Sequence, residues 1–346
     1  DPAGLQAMQR RAWERGRKTI WPRFAEASAN LVNSAIPHAH VRAPLSVVPS
    51  LAGVFAMSDA TGMLQHAIGT VPDRRHGYCL DDNVRALMLM NVAEGIEAGE
   101  RMARAGHYAA FIQHAWNPDH KLFRNFMNFD RSWCEDIGSE DSNGRTLWAL
   151  GHTIELSRDP DLRAWARSWH DQALPSLAAL RSPRTIAFVM LGAAARLRRE
   201  PDQAASRRVL EDGAQALSDL LDRFSKPGWP WFETRLGYDN PRLCQALIEA
   251  GMLLDRREWC DCGKASARWL AEVQTSPEGL FRPVGSNGLG HDHDVLPFDQ
   301  QPLEAQAAIE CARAAYWVSR DSFWLAHAGA AWRWFFGAND RGAVLA

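Results

Sequence analysis

An acidic box recurs along this chain, and each copy opens an apolar stretch of helical spacing. Three copies are clear: Asp81-Asp82-Asn83-Val84-Arg85-Ala86-Leu87, Glu140-Asp141-Ser142-Asn143-Gly144-Arg145-Thr146-Leu147 and Tyr238-Asp239-Asn240-Pro241-Arg242-Leu243. A looser copy is Asp299-Gln300-Gln301-Pro302-Leu303-Glu304-Ala305. Asp82 and Asp141 lie 59 residues apart, and Asp239 and Asp299 lie 60 apart. The 98-residue step from Asp141 to Asp239 holds two units, the extra one starting near Ser182-Pro183. Repeats of this length stack into a helical solenoid or close into a toroid.

The periodicity predicts helices over 81–98, 101–117, 140–157, 160–179, 183–198, 203–225, 240–254, 257–273, 302–319 and 321–337, taken in pairs. The first member of a pair is apolar nearly all round, as in Ile186-Ala187-Phe188-Val189-Met190-Leu191, and is expected to be buried on most sides. The second is amphipathic, as in Asp161-Leu162-Arg163-Ala164-Trp165-Ala166-Arg167. Each pair therefore reads as one inner and one outer helix. Residues 3–34 read as a further outer helix, 36–50 as an extended connection with Pro37, Pro44 and Pro49, and 59–68 as a short helical piece. The expected fold is all-α, an (α/α)6-type toroid in one domain spanning residues 1–346. Its first 50 residues supply an outer helix and a connection, and 51–346 supply the repeated pairs. A sixth inner helix would follow Gly337, where nine residues remain. The ring is accordingly expected to be open or to lack its closing segment.

Loops from inner to outer helix are short, whereas three from outer to inner are long and aromatic, at 118–139, 226–239 and 275–301. Long structured loops gathered on one side are where function concentrates, and short β-hairpins are expected there.

Composition excludes several classes. An apolar fraction of 46% with 23% charged residues describes an ordinary globular chain. A net charge of -2 offers no global attraction to nucleic acid or an anionic membrane. No run of apolar residues is long enough to span a bilayer. Six cysteines are too sparse for a disulfide framework, and Cys260-Asp261-Cys262 lacks a second pair for zinc. Reduced thiols and the absence of an apolar leader favour a cytoplasmic setting. No phosphate loop or nucleophile elbow is present, so no nucleotide cofactor is expected.

The candidate chemistry lies in the boxes. A single Asp at a helix start is a good N-cap. Capping does not account for the doublets Asp81-Asp82 and Glu140-Asp141, nor for Glu233 and Glu304. Carboxylates converging at inner-helix N-termini raise one another's pKa, as a general acid requires. Asp82, Asp141, Glu233 and Asp239 are the candidate acids and bases. Arg85, Arg145 and Arg242 read first as charge partners of their boxes. Trp133, Trp229 and Trp231 sit in loops where they either stack on sugar rings or pack in the core. Trp148, Trp165, Trp169, Trp317, Trp332 and Trp334 lie in helices and are expected in the core. His76, Tyr78, Asp81, Asn83, Glu140, Arg145, Asn240, His291, Asp299, Gln300 and Gln301 complete the expected substrate contacts. His291-Asp292-His293-Asp294 reads as loop polarity or a substrate-binding pair rather than a metal site.

The segments Gln65-His66-Ala67, Val71-Pro72-Asp73-Arg74-Arg75-His76-Gly77-Tyr78-Cys79-Leu80-Asp81-Asp82-Asn83, Trp231-Phe232-Glu233, Tyr238-Asp239-Asn240 and Phe298-Asp299-Gln300-Gln301-Pro302 resemble a bacterial all-helical domain found with group 1 glycosyltransferases. Such domains are fused to the transferase or encoded beside it, and the resemblance covers about residues 50–340. It implies a glycosyltransferase partner and an architecture similar to (α/α)6 glycoside hydrolases, which mostly invert configuration with two carboxylates. It also implies a further helix rich in Asn, Glu and Gln beyond this chain's end. An oligo- or polysaccharide is the expected substrate and hydrolysis the leading expectation. A carboxyl separation of about 6.5–9.5 Å goes with inversion and about 5–5.5 Å with retention. A sugar epimerase using His76, His291 or His293 as bases is the second expectation, and a glycan-binding domain without catalysis the third.

Overall fold

A computed structural model describes residues 49–285, 289–290 and 299–344, with isolated helical positions before residue 32. The expected helix at 3–34, apart from those positions, and the expected site residue His291, with His293, lie outside the described residues. The chain divides into two compact units, one of Ser50–Thr234 with Asn240–Ala267, the other taking Arg235–Asp239 and the chain from Arg268 onward.

The first unit is built of helix pairs. A short helix α1 (Ala52–Ala56) leads into strands β1 (Ala67–Ile68) and β2 (Val71–Pro72), a single 3-10 turn at Arg74–His76, and β3 (Tyr78–Cys79). Then come α2 (Leu80–Val92), α3 (Ala98–Ala115), β4 (Trp116–Asn117), β5 (Leu122–Phe123) and β6 (Phe126–Met127). Six further helices follow: α4 (Glu140–Leu156), α5 (Pro160–Leu177), α6 (Pro183–Arg199), α7 (Ala204–Phe224), α8 (Pro241–Leu253) and α9 (Arg257–Val273), the last running on into the second unit. Helices α2, α4, α6 and α8 pack side by side in that order, with α3, α5 and α7 behind α2, α4 and α6. The inner and outer assignment made from hydrophobic pattern thus holds for these pairs.

Local chemistry explains the boundaries. Outer helices start on side-chain caps: Glu97 accepts from Glu100 N–H, Asp159 from Asp161 and Leu162, and Gln203 from Ser206. The Glu97 cap begins α3 three residues earlier than periodicity alone places it. Among the inner helices, α4 is capped by Ser139, whereas α2, α6 and α8 begin without a side-chain cap. Asp82 and Asp141 therefore sit inside the first turn and do not serve as caps.

Inner helices approach closely because small residues face each other. A Cβ built on Gly151 of α4 would lie 2.1 Å from the Gly192 carbonyl oxygen of α6, and one on Gly192 would lie 2.6 Å from that of Leu147. Leu80, Val84, Leu87 and Met90 of α2 pack with Tyr108 and Ile112 of α3, Phe123 and Leu147 into the main core.

The expected helical piece at 59–68 is instead irregular chain ending in β1. Asp59 accepts from the N–H groups of Thr61 and Gly62 at 2.7 and 3.3 Å, a side-chain turn that competes with helix. The box asparagines then fasten such loops. Asn83 Oδ1 accepts from Met63 N–H at 2.8 Å while its amide donates to Met63 O at 3.3 Å and Cys79 O at 2.8 Å. Asn143 repeats the arrangement with Phe123 N–H at 2.7 Å, Phe123 O at 3.1 Å and Ser139 O at 3.0 Å. In both repeats the clasped residue lies 20 positions upstream.

The second unit pairs strands β7 (Arg235–Leu236) and β8 (Leu289–Gly290) antiparallel and packs helix α10 (Pro302–Ser319) on α11 (Ser322–Trp334). Phe281, Ala305, Ala308, Ala331 and Trp334 form its core. Trp317 and Trp332, expected inside, are 56% and 41% exposed. The buried side of α10 is mostly alanine, and Trp317 lies on its other side. Trp317 lies under the Arg320 guanidinium at 4.4 Å and Trp332 leans on Phe336 at 5.1 Å. Of the other helix tryptophans, Trp148 and Trp334 are buried and Trp165 and Trp169 are half-buried against the core.

Candidate active site

Within the first unit a belt of polar contacts runs along the N-terminal ends of the inner helices. At the start of α2, Asp81 takes Arg145 Nε from α4 on one oxygen and Arg85 Nη2 at 2.9 Å on the other. The expected pairing of Arg85 with its own box is therefore present, and Arg145 reaches to the neighbouring box. At the start of α4, Asp141 Oδ1 accepts from the hydroxyls of Ser182 at 2.9 Å and Thr185 at 2.8 Å. Glu140 accepts from the backbone N–H groups of Arg181 and Ser182 at 3.0 and 2.7 Å. It thereby holds the start of α6, where no side chain of α6 itself caps. Arg184, on the first turn of α6, donates to Glu233 Oε2 at 2.7 Å and to Asn240 Oδ1 at 3.2 Å.

The electrostatics single out Asp82. Burial pushes its carboxyl up to about 6 from 3.8, with the Asp81 charge adding to the rise and Arg85 and Arg145 opposing it. Arg85 Nη1 stands 3.7 Å away, too far for a direct hydrogen bond. Its side chain keeps 27% of its surface open. A carboxyl that is half protonated at about pH 6 and still partly exposed can give a proton to a bound molecule. Burial also pushes the adjacent Cys79 thiol up to about 12, so it stays neutral and is no nucleophile.

Under the belt lies a stack that the sequence did not announce. The Arg145 guanidinium lies 4.1 Å from the Phe188 ring centre, Phe188 stacks on Trp148 at 5.8 Å and 5°, and Arg242 lies 4.5 Å from the Trp148 centre. Three inner helices contribute to these four layers. Packing between flat faces fixes both guanidiniums in direction, and Arg242 also donates to Gln245 Oε1 at 2.7 Å.

Several expected substrate contacts serve the fold instead. Asn83 is fully buried in its clasp. Tyr78 is 1% exposed and donates its hydroxyl to Asp59 at 2.7 Å. Trp231 has no exposed surface and packs edge-on to Phe232 at 5.1 Å, and Trp229 is 6% exposed with Nε1 donating to the Glu233 carbonyl at 2.8 Å. Both rings are thus packed among neighbouring groups rather than presented on an open face. Trp133 is half-buried, against Phe111 and His114. His76 is exposed, with its ring 4.4 Å from that of His66.

The second unit holds Asp239 and the box at Asp299. Asp239 is buried, Asp299 is exposed, and both have left-handed backbone, φ 53 and 56. Aspartate is among the few non-glycine residues that accept this conformation. Neither is the N-cap of the helix that follows: those positions are Asn240 and Gln301. Gln300 bridges Asp340 Oδ2 at 2.6 Å and Trp334 Nε1 at 2.8 Å, so it works inside this unit. Asp340 is buried and paired through two bonds with Arg282, at 2.8 and 2.9 Å. Buried Glu304 accepts from Gln274 at 3.0 Å. Gln301 is half-buried.

No protein-family model matches the sequence, and no curated protein matches it. Solved structures do match its fold. A sugar epimerase from a ruminal bacterium gives a TM-score of 0.62 at 12% identity, over 81% of this chain and 81% of that one. Cellobiose 2-epimerase from Bacillus thermoamylovorans gives 0.64 at 10% identity, over 82% and 83%. Cellobiose 2-epimerase from Spirochaeta thermophila gives 0.62 at 16%, over 92% and 86%. At these identities the likeness is one of fold: the chain has an α/α-toroid fold. Among the described residues no helix is long and apolar enough to cross a membrane.

Proposed function

We propose that this chain is a carbohydrate-active enzyme that cleaves glycosidic bonds, with Asp82 as general acid and Asp141 as the partner carboxylate. The observation that carries the reading is the Asp82 carboxyl held near 6 at the start of an inner helix, beside an Asp81 that two guanidiniums engage. Asp82 gives its proton to the glycosidic oxygen as the bond to the anomeric carbon breaks. Asp141, oriented by Ser182 and Thr185, takes a proton from the water that attacks that carbon. Glu233, set by Arg184, is the alternative base on the same belt.

The test is release of reducing ends from a polysaccharide panel and of nitrophenol from a panel of 4-nitrophenyl glycosides. Asp82→Asn is expected to lower kcat by about 10²–10⁴. Full activity in that variant would remove Asp82 from the mechanism.

A second reading is favoured by the solved structures, several of which are described as sugar epimerases. It requires a base beside a sugar carbonyl, and His76 is the described histidine closest in sequence to the acidic box. Deuterium uptake into a free sugar in heavy water, without bond cleavage, would establish it in place of hydrolysis. Saturable glycan binding with neither outcome would identify a binding domain, the role that suits a glycosyltransferase partner.

A further inference from the structure

The hairpin region before α2 carries cationic and aromatic groups that the acid/base scheme does not use. Phe126 and Phe129 are 38% and 45% exposed, and Phe129 stacks on buried Tyr78 with ring centres 6.2 Å apart. The Arg74 guanidinium lies 5.5 Å from the Phe129 ring centre, and that of Arg124 lies 5.7 Å from Trp133. Arg131 sits at the corner of the same loop with φ 71 and its N–H on Asn128 O at 2.9 Å. Its charge is felt at the Tyr78 hydroxyl.

The acids nearby each have a hydrogen-bond partner, a cationic one at Asp73. Asp73 is held by its own neighbour Arg75 through Nε at 3.0 Å and Nη2 at 2.7 Å. Asp130 takes the Ser132 hydroxyl at 2.6 Å, Asp59 takes Tyr78, and Glu135 takes the N–H groups of Asn125 and Phe126, each at 2.8 Å. Among the described residues Arg74, Arg124 and Arg131 pair with no carboxylate. Of the three, Arg74 lies beside exposed Phe129, Arg124 lies beside half-buried Trp133 and donates to the Trp116 carbonyl at 3.2 Å, and Arg131 stands on the same loop. The loop is also fastened to the acid: Asn125 accepts from Leu80 N–H at 2.8 Å through its carbonyl and from Asp81 N–H at 3.3 Å through its side chain.

We infer that this rim binds an anionic saccharide, the aromatic rings stacking on sugar faces and Arg74, Arg124 and Arg131 taking a carboxylate, sulfate or phosphate group. The inference rests on the carbohydrate reading above and adds the charge class of the substrate. Guanidinium forks suit such oxyanions, and stacking on Phe and Trp tolerates many sugar types.

Monosaccharides test it without any knowledge of the linkage. Glucuronate, galacturonate, glucose 6-sulfate and glucose 6-phosphate are titrated against glucose and galactose by ligand-observed NMR on the full chain. The acids are expected to bind at least about fivefold more tightly at 20 mM salt and within about twofold of the neutral sugars at 0.5 M NaCl, because exposed charges are screened. The double variant Arg74→Ala with Arg131→Gly, the glycine suiting the left-handed backbone, is expected to lose the preference while keeping its affinity for the neutral sugars. Arg74→Lys with Arg131→Lys is expected to keep part of it. Equal binding of acids and neutral sugars, or a preference that survives the Ala/Gly variant, overturns the anion inference and leaves the carbohydrate reading standing. Binding of none of these sugars overturns both. The order among uronate, sulfate and phosphate identifies the anion.

Discussion

Replacing Asp82 by Asn is expected to make the protein more stable at alkaline pH while removing its activity. The carboxyl titrates near 6 in the fold and near 3.8 when solvated. A rise of roughly two pH units corresponds to about 3 kcal/mol. The side chain keeps 27% of its surface open, so screening reduces this to about 2 kcal/mol. The folded chain holds this proton more tightly than the unfolded chain does. The resulting stabilisation is complete below pH 3.8 and is lost as pH rises through 6. Above that the native state carries a desolvated anion. Asparagine copies the protonated form in size and polarity and carries no charge at any pH. Urea unfolding followed by tryptophan fluorescence at pH 4, 6 and 8 measures the difference. Wild type and variant should agree closely at pH 4, and the variant should be more stable by about 2 kcal/mol at pH 8. A difference that does not change with pH, or a wild type that is the more stable at pH 8, would refute the burial argument and with it the assignment of Asp82 as acid.

Other consequences can be measured in the same way. Asn143→Ala removes three good hydrogen bonds and leaves the N–H of fully buried Phe123 without its acceptor, so urea unfolding should show a loss of about 2–4 kcal/mol. Gly192→Ala places a methyl 2.6 Å from the Leu147 carbonyl oxygen and forces α4 and α6 apart, with an expected cost of about 2 kcal/mol or more in the same measurement. Arg145→Met strips Asp81 of a buried partner and should cost about 3 kcal/mol; adding Asp81→Asn should recover part, and a double-mutant cycle with no coupling would deny the pair. Trp334→Phe loses the bond to Gln300, and a thermal midpoint unchanged from wild type would show that this bond contributes nothing.

Sequence pattern carried the helix pairing well, because burial on one side or on all sides leaves a periodic trace in the chain. The apolar run of α6 and the striped run of α5 read correctly as inner and outer. Alanine-rich α10 was read as inner as well, yet Trp317 and Trp332 were placed wrongly. A tryptophan in a helix says nothing about which way that turn faces once small residues have taken the buried side. The aspartates were visible as a group, but their relation to the helix starts was not: the N-cap positions fall on Ser139, which caps with its side chain, and on Asn240 and Gln301, which do not, one or two places away from where propensity put them. Arg184 escaped notice because its partners Glu233 and Asn240 lie about 50 residues downstream. The Arg145–Phe188–Trp148–Arg242 stack is a contact among three helices, and nothing local in any one of them encodes it. Asp82 is distinguished from Asp81 by its partners, since Arg145 and Arg85 both engage Asp81 while Arg85 stands 3.7 Å from Asp82, although the two are adjacent in the chain.

The asparagine clasp makes each of the first two acidic loops a locally closed cassette. Its amide reads the N–H and C=O of one backbone residue just 20 positions earlier, much as a neighbouring strand would, and does so twice at the same spacing. Closing a loop of that length carries a modest entropic cost, which grows only slowly with length. A loop and its helix start can therefore form together early in folding, before distant repeats meet. They also form without instruction from those repeats. Point changes in the loop between clasped residue and asparagine leave the clasp intact, so the rim can vary its ligand while the aspartate behind it keeps its place. A duplicated cassette arrives with its own fastening, which lets a chain of this kind multiply acid-bearing ends and then specialise each one separately.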